Sequence, residues 1–224
     1  QAGGWIAIED DALHGFRLLR WIRVPFSLYN AADGQTRPTC GDFDGDGRDE
    51  IVVGLGPYPS SGGWMPVFED AASNFAFSNW IRAGWAAYNA ANGETRPVAG
   101  QLDSDPREEI LVGFGRYPAA GGWLQVRDDR AAGWALRSWA RLDWNAYNRY
   151  NGGTWPTVGN VDGDPLDEVF LGEEAFPGRG GYIRVLDDPA HGFARLGWIN
   201  VSWPLYQQYS GETRPAVIDV DGDG

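Results

Sequence analysis

The chain is 224 residues long, with 31 acidic against 18 basic side chains and a formal net charge of −13. That balance argues against nucleic acid or an anionic membrane as partner, since both need a basic face. Hydrophobic content of 43% suffices for a core, while no run approaches the ~18 apolar residues of a membrane span, and a single cysteine excludes an intrachain disulfide.

The chain repeats itself every 59 residues. Gly3-Gly4, Gly62-Gly63, Gly121-Gly122 and Gly180-Gly181 stand in one phase. Trp21, Trp80, Trp139 and Trp198 recur at a fixed offset, as do Tyr29, Tyr88, Tyr147 and Tyr206, and Pro38, Pro97, Pro156 and Pro215. Such a period marks an array of supersecondary units that bury their apolar faces against neighbours. One array over residues 1–224 is expected, with units starting near residues 3, 62, 121 and 180 and the last incomplete.

In chain order, the Gly-Gly pair leads into an alternating strand. Ile6/Ile8, Met65/Val67, Leu124/Val126 and Ile183/Val185 point to one face; Trp5, Trp64, Trp123 and Tyr182 point to the other. An acidic turn follows, with Asp11, Asp70, Asp129 and Asp188 in phase. The next strand is expected to carry Phe16, Phe75, Trp134 or Phe193 and, five residues on, the recurrent tryptophan. A long connection rich in Asn and Gly then runs over Phe26–Thr36, Trp85–Thr95, Trp144–Thr154 and Trp203–Thr213. Beyond it, 95–101 reads as the first strand of a new unit and 109–114 as a short apolar second strand. Helical periodicity is absent throughout. Four strands per unit predict an all-β protein, a β-propeller of four-stranded blades. A β-solenoid fits less well, because its turns have shorter periods. A closed ring of four units would need 4 × 59 = 236 positions against the 224 present. A piece of a longer array is therefore expected in preference to a ring with an incomplete blade, with self-association of chains as another route to a complete ring. Cys40 stands where the other units have Ala99, Val158 and Val217, and is expected to be a buried small hydrophobe.

Between the first and second strands lies an acidic loop. Asp42, Asp44, Asp46 and Glu50 take its positions 1, 3, 5 and 9, and the carbonyl of Arg48 at position 7 can add an oxygen. Sixteen of the 31 acidic residues fall in the four copies of this segment. Alternate carboxylates converging on one point repel unless a cation sits among them. Six to eight oxygens in flexible geometry suit Ca2+ better than Mg2+, and the lack of His or Cys in the loop argues against zinc or copper. An EF-hand is excluded, because position 12 is Val53 rather than a bidentate Glu.

The stretch Gly41-Asp42-Phe43-Asp44-Gly45-Asp46-Gly47-Arg48-Asp49-Glu50-Ile51-Val52-Val53-Gly54 closely resembles the calcium loop of FG-GAP and VCBS repeats, which build the integrin α-subunit propeller and many bacterial surface proteins. The copies differ. The second has Gln101, Asp103, Asp105, Arg107 and Glu109; the third has Asn160, Asp162, Asp164, Leu166 and Glu168; the fourth has Asp219, Asp221 and Asp223. Pro106 and Pro165 replace the second loop glycine and cannot supply a positive φ. The tightest calcium is expected at the first loop. One copy per blade argues for a structural ion, since an active site is normally built once. The resemblance implies an extracellular or cell-surface setting and a non-enzymatic role in adhesion or recognition of a protein or glycan.

Two further readings stay open. Trp85, Tyr88, Asn89, Trp144, Tyr147, Asn148, Trp203 and Tyr206 offer one aromatic pocket per blade for a glycan, as in a propeller lectin, although recurrent large aromatics are more often packing. The chain also fits an accessory propeller domain of a secreted enzyme. Catalysis within it finds little support: His14 and His191, the only histidines, share one repeat phase, and no nucleophile motif or phosphate loop accompanies them.

Overall fold

The computed structural model describes residues 3–118 and 120–218. A two-stranded sheet of β1 (Trp5–Glu9) and β2 (Leu18–Arg23) precedes three four-stranded sheets. The first holds β3 (Thr36–Gly41), β4 (Glu50–Leu55), β5 (Trp64–Phe68) and β6 (Phe77–Arg82). The second holds β7 (Thr95–Gly100), β8 (Glu109–Phe114), β9 (Trp123–Arg127) and β10 (Leu136–Arg141). The third holds β11 (Thr154–Gly159), β12 (Glu168–Glu173), β13 (Tyr182–Leu186) and β14 (Arg195–Asn200). Each is an antiparallel meander in chain order, and their first strands β3, β7 and β11 lie side by side. The fold is thus predominantly β, built of blade-like repeats. Among the described residues no helix is long and apolar enough to cross a membrane.

The core is divided among the junctions between successive sheets. Met65 and Val67 of the first sheet pack on Ile110, Val112 and Phe114 of the second. Leu124 and Val126 of the second pack on Val169, Leu171 and Leu186 of the third. Strands β4 and β8 are buried on both faces, so they read as continuous apolar runs rather than alternating ones.

The long connections correct the expectation of no helix. Six-residue helices α1 (Ser27–Ala32), α2 (Ala86–Ala91), α3 (Asn145–Tyr150) and α4 (Pro204–Tyr209) occupy them. Under two turns, a helix shows no legible period and is unstable alone, so tertiary anchors must hold it. The anchors are the recurrent Tyr-Asn pairs. Tyr88 is fully buried; its hydroxyl donates to the Glu94 carbonyl at 2.8 Å and accepts from the Gly115 amide at 2.7 Å. Asn89 Nδ2 donates to the Ala83 carbonyl at 2.7 Å. Tyr29 and Tyr147, with Asn30 and Asn148, repeat the arrangement. Tyr88→Phe strands a buried N–H and carbonyl, and is expected to cost about 1–3 kcal/mol in urea unfolding. An unchanged midpoint would refute the anchor.

One contact explains both glycine signatures. A Cβ on Gly93 would lie 2.4 Å from the Cα of Gly62, and Gly93 itself has φ +74°. The Gly-Gly pair and the Asn-Gly turn recur together because their backbones touch.

Two smaller expectations are also corrected. Phe16, Phe75, Trp134 and Phe193 precede the fourth strand rather than lie in it, at φ of 52°, 53°, 60° and 56°. They are held in the left-handed region by the acidic turn, where the amide of Phe75 donates to the Asp70 carbonyl and that of Trp134 to the Asp129 carbonyl. Cys40 is exposed rather than buried.

Candidate functional site

The first acidic loop joins β3 to β4 and is ordered by its own carboxylate. Asp42 accepts from the amides of Gly45 at 2.7 Å, Asp46 at 3.1 Å and Gly47 at 2.9 Å. The turn needs Gly45 and Gly47 at φ 79° and 83°, which L side chains rarely adopt. Glu50 enters from the start of β4, buried, with Oε2 accepting from the Phe43 amide at 3.1 Å. Oxygens of Asp42, Asp44 and Glu50 come within 4.8 Å of one another. Asp46 turns instead to the Arg48 guanidinium at 3.2 Å. Arg130, from the second sheet's hairpin turn, reaches Asp44 at 3.3 Å and Glu69 at 2.7 Å.

The second and third loops are built differently at position 1. The Gln101 amide donates to the carbonyls of Asp103 and Asp105, and the Asn160 amide donates to the carbonyl of Asp164. An N–H stands where an aspartate would present only oxygen. Pro106 and Pro165 cannot copy the φ of Gly47. In the second loop Asp103 and Asp105 each group with Glu109; in the third Asp162 is exposed. Arg107 lies 3.4 Å from Asp129, Arg137 pairs with Asp103 and Asp128, and Leu166 is buried.

Position 9 is the constant element. Glu109 and Glu168 are 0% exposed, and each uses Oε2 to accept a backbone amide, from Leu102 at 2.7 Å and Val161 at 2.6 Å. Their Oε1 atoms are buried without a hydrogen-bond partner. Burial, then the neighbouring Asp44, pushes Glu50 up to about 7; burial pushes Glu109 up to about 8 and Glu168 in the same direction. A buried carboxylate with one free oxygen, facing other carboxylates, is relieved by a hard cation. At the first and second loops the donor set is carboxylate oxygen alone, which fits Ca2+.

Sequence reasoning missed part of this donor set. Asp128 and Asp129 from the hairpin after β9 join Glu109, with Asp103 and Asp105 respectively, while Asp188 and His191 join Asp164. The in-phase Asp70, Asp129 and Asp188 carried the signal, but a turn explained them equally well. Asp219, Asp221 and Asp223 lie outside the described residues.

The aromatic positions divide. Tyr88, Asn89, Tyr147 and Asn148 are buried and hydrogen-bonded inside the fold, which gives them an anchoring role. Trp85 and Trp144 are half-buried and wall open clefts, one at each sheet junction. Trp203 is 59% exposed and stacks on Tyr206 at 5.4 Å. The clefts are completed by outer-hairpin rings that the sequence did not assign: Trp64 and Trp80 with Phe26, Trp123 and Trp139 with Trp85, Tyr182 and Trp198 with Trp144.

The recurrent arginines meet at the first strands. Arg37, Arg96 and Arg214 lie 5.6, 3.7 and 4.3 Å from the ring centre of Trp155, which replaces an arginine in the third unit. Arg96 is 4% exposed, 2.8 Å from Glu94, also paired with Glu174, and donates to the Thr154 carbonyl at 3.1 Å.

No family model matches the chain, and no curated protein is similar to it in sequence. Among solved structures it is similar to the Bacillus licheniformis rhamnogalacturonan lyase PL11, with a TM-score of 0.54 and 16% identity. The likeness covers 84% of this chain but 38% of the lyase, and at that identity it shows a shared β fold alone.

Proposed function

We propose that the chain belongs to a calcium-stabilised β-propeller of the FG-GAP/VCBS type that acts as a non-enzymatic recognition scaffold outside the cell. The observation that carries this reading is the buried glutamate at position 9, whose second oxygen has no protein partner in the second and third loops. The metal holds each turn between first and second strands, offsetting repulsion that would otherwise open it. Asp42, Asp44, Glu50 and the position-7 carbonyl supply the first site. An ion that binds only the folded state contributes about 2.7 kcal/mol at a hundredfold excess over Kd.

A melting curve with and without chelator tests this. Chelation is expected to lower Tm by roughly 5–10 °C per site lost, at 2–4 °C per kcal/mol for a chain of this size. Ca2+ is expected to restore it and Mg2+ to fail, and Asp44→Ala to remove the response of the first loop. Identical curves in both conditions would end the calcium reading. A second reading, a glycan-binding lectin, is favoured by the open aromatic cleft at each junction.

A further inference from the structure

We propose that the cleft between the second and third four-stranded sheets is a specialised site for an acidic sugar, a pyranose ring bearing a carboxylate. The proposal rests on the recognition-scaffold reading and deepens it by naming a ligand class; it does not depend on calcium.

The argument is a comparison of equivalent positions. Three junctions carry clefts of about 260, 460 and 550 Å³. The first two are walled by Pro25, Phe26, Trp64 and Trp80, and by Trp85, Ala120, Trp123 and Trp139. Their lining residues carry no ionisable group, and the nearest charges are Arg82 and Arg141, which lie over the Trp64 and Trp123 rings at 4.7 and 5.1 Å. The third keeps its three rings, Trp144, Tyr182 and Trp198, at nearly perpendicular angles with centroids 5.6–5.9 Å apart. Around them the chemistry changes. Arg184 stands where the sister units have Pro66 and Gln125; Arg195 where they have Phe77 and Leu136. Arg179 replaces Ser61 and Ala120, and Asp143 replaces Pro25 and Gly84. Four charges gathered at one cleft, absent from its two copies, are what a ligand site built once would look like in a repeat array.

The arrangement selects the ligand. Three arginines against one aspartate make this cleft positive in a chain of net charge −13, so it takes an anion. Arg184 is only 3% exposed; its Nη2 lies 2.8 Å from Asp143, while Nε and Nη1 are buried without a partner. Two unsatisfied donors on a desolvated guanidinium call for charged acceptor oxygens. The guanidinium lies 4.6 Å from the Trp198 ring centre, which fixes its plane. A bare phosphate or sulfate would leave the aromatic walls unused. A sugar ring uses both: its C–H face packs on the rings, its carboxylate meets Arg184, and its hydroxyls reach Asp143 and the exposed Arg179 and Arg195.

Calorimetric titration of the whole chain with the trimers of galacturonate, mannuronate and glucuronate, and with their methyl esters, tests the assignment. At least one free acid is expected to bind, and its ester to bind at least tenfold more weakly, because esterification removes the charge that Arg184 reads. Arg184→Met is expected to weaken the acid about tenfold or more and to leave the ester unchanged. Arg195→Leu and Arg179→Ala install the residues of the sister unit at exposed positions, so they keep the test open if Arg184→Met fails to fold. Each is expected to cost a few-fold at low salt. Failure of all three acids to bind, equal binding of acid and ester, or no effect of any variant would overturn the site. Binding that vanishes with chelator yet ignores the arginine variants would also overturn it, since the loops' calcium would then be bridging the carboxylate. The melting response to calcium would survive any of these failures.

Discussion

Glu173→Leu is expected to stabilise the protein by a few kcal/mol at pH 8. Glu173 ends β12 at the position held by Leu55 and Phe114 in the sister sheets. It is 0% exposed, and neither carboxylate oxygen has a partner. Burial pushes its pKa up to about 9, against an ordinary value of 4.5. The folded state therefore holds a proton that the unfolded chain releases above about pH 4.5. Stability contributed at this position is greatest below pH 4.5 and falls as pH rises toward 9, by up to about 1.4 kcal/mol per pH unit. Leucine removes that dependence and restores apolar packing. Urea unfolding of both proteins at pH 5 and pH 8 measures it: the advantage of the variant must be larger at pH 8. An equal advantage at both values would mean that the carboxylate is ionised and paired in the fold.

The opposite sign is expected at Arg96. Arg96→Met leaves Glu94, 4% exposed, and Glu174 without their shared guanidinium. Breaking a buried pair by removing one partner costs about 3–5 kcal/mol; here Glu174 loses its guanidinium and Glu94 keeps Arg37 alone, at 2.8 Å. For a chain of this size that is a fall in Tm of roughly 6–20 °C. Arg37→Met is expected to cost less, because Arg37 is more exposed and pairs with one carboxylate, Glu94 at 2.8 Å, where Arg96 pairs with two. Adding Glu94→Gln to Arg96→Met should recover part of the loss, as coupled neighbours are not additive. A melting temperature for Arg96→Met within a degree of the parent would show that the cluster contributes no stability.

Repeat phase made much of this architecture legible. The strand over 109–114 and the register of Trp123 with its in-phase partners follow from period-two patterning, and β8 and β9 fall there. The short helices were hidden because six residues cannot display a 3.6-residue period; their stability lies in the Tyr88 hydroxyl and Asn89 amide, which are long-range contacts. Loop carboxylates were visible as a motif. The carboxylates donated by the next hairpin, Asp128 and Asp129, were not, since β8 and β9 bring them back to Glu109 only in three dimensions. The charged cleft was in plain view as departures from the repeat. Nothing in one dimension shows that Asp143, Arg179, Arg184 and Arg195, spread over more than fifty residues, face one space.

The threonine that opens each first strand has a wider consequence. Thr95 accepts from the Leu55 amide at 3.0 Å and donates to the Trp64 carbonyl at 3.3 Å, clasping the preceding sheet; Thr154 and Thr213 do the same one and two units later. Because every clasp is made to main-chain atoms, it is indifferent to which side chains the neighbouring unit carries. Duplicated modules can therefore be spliced into the series and drift apart in surface chemistry, while the joints between them remain interchangeable.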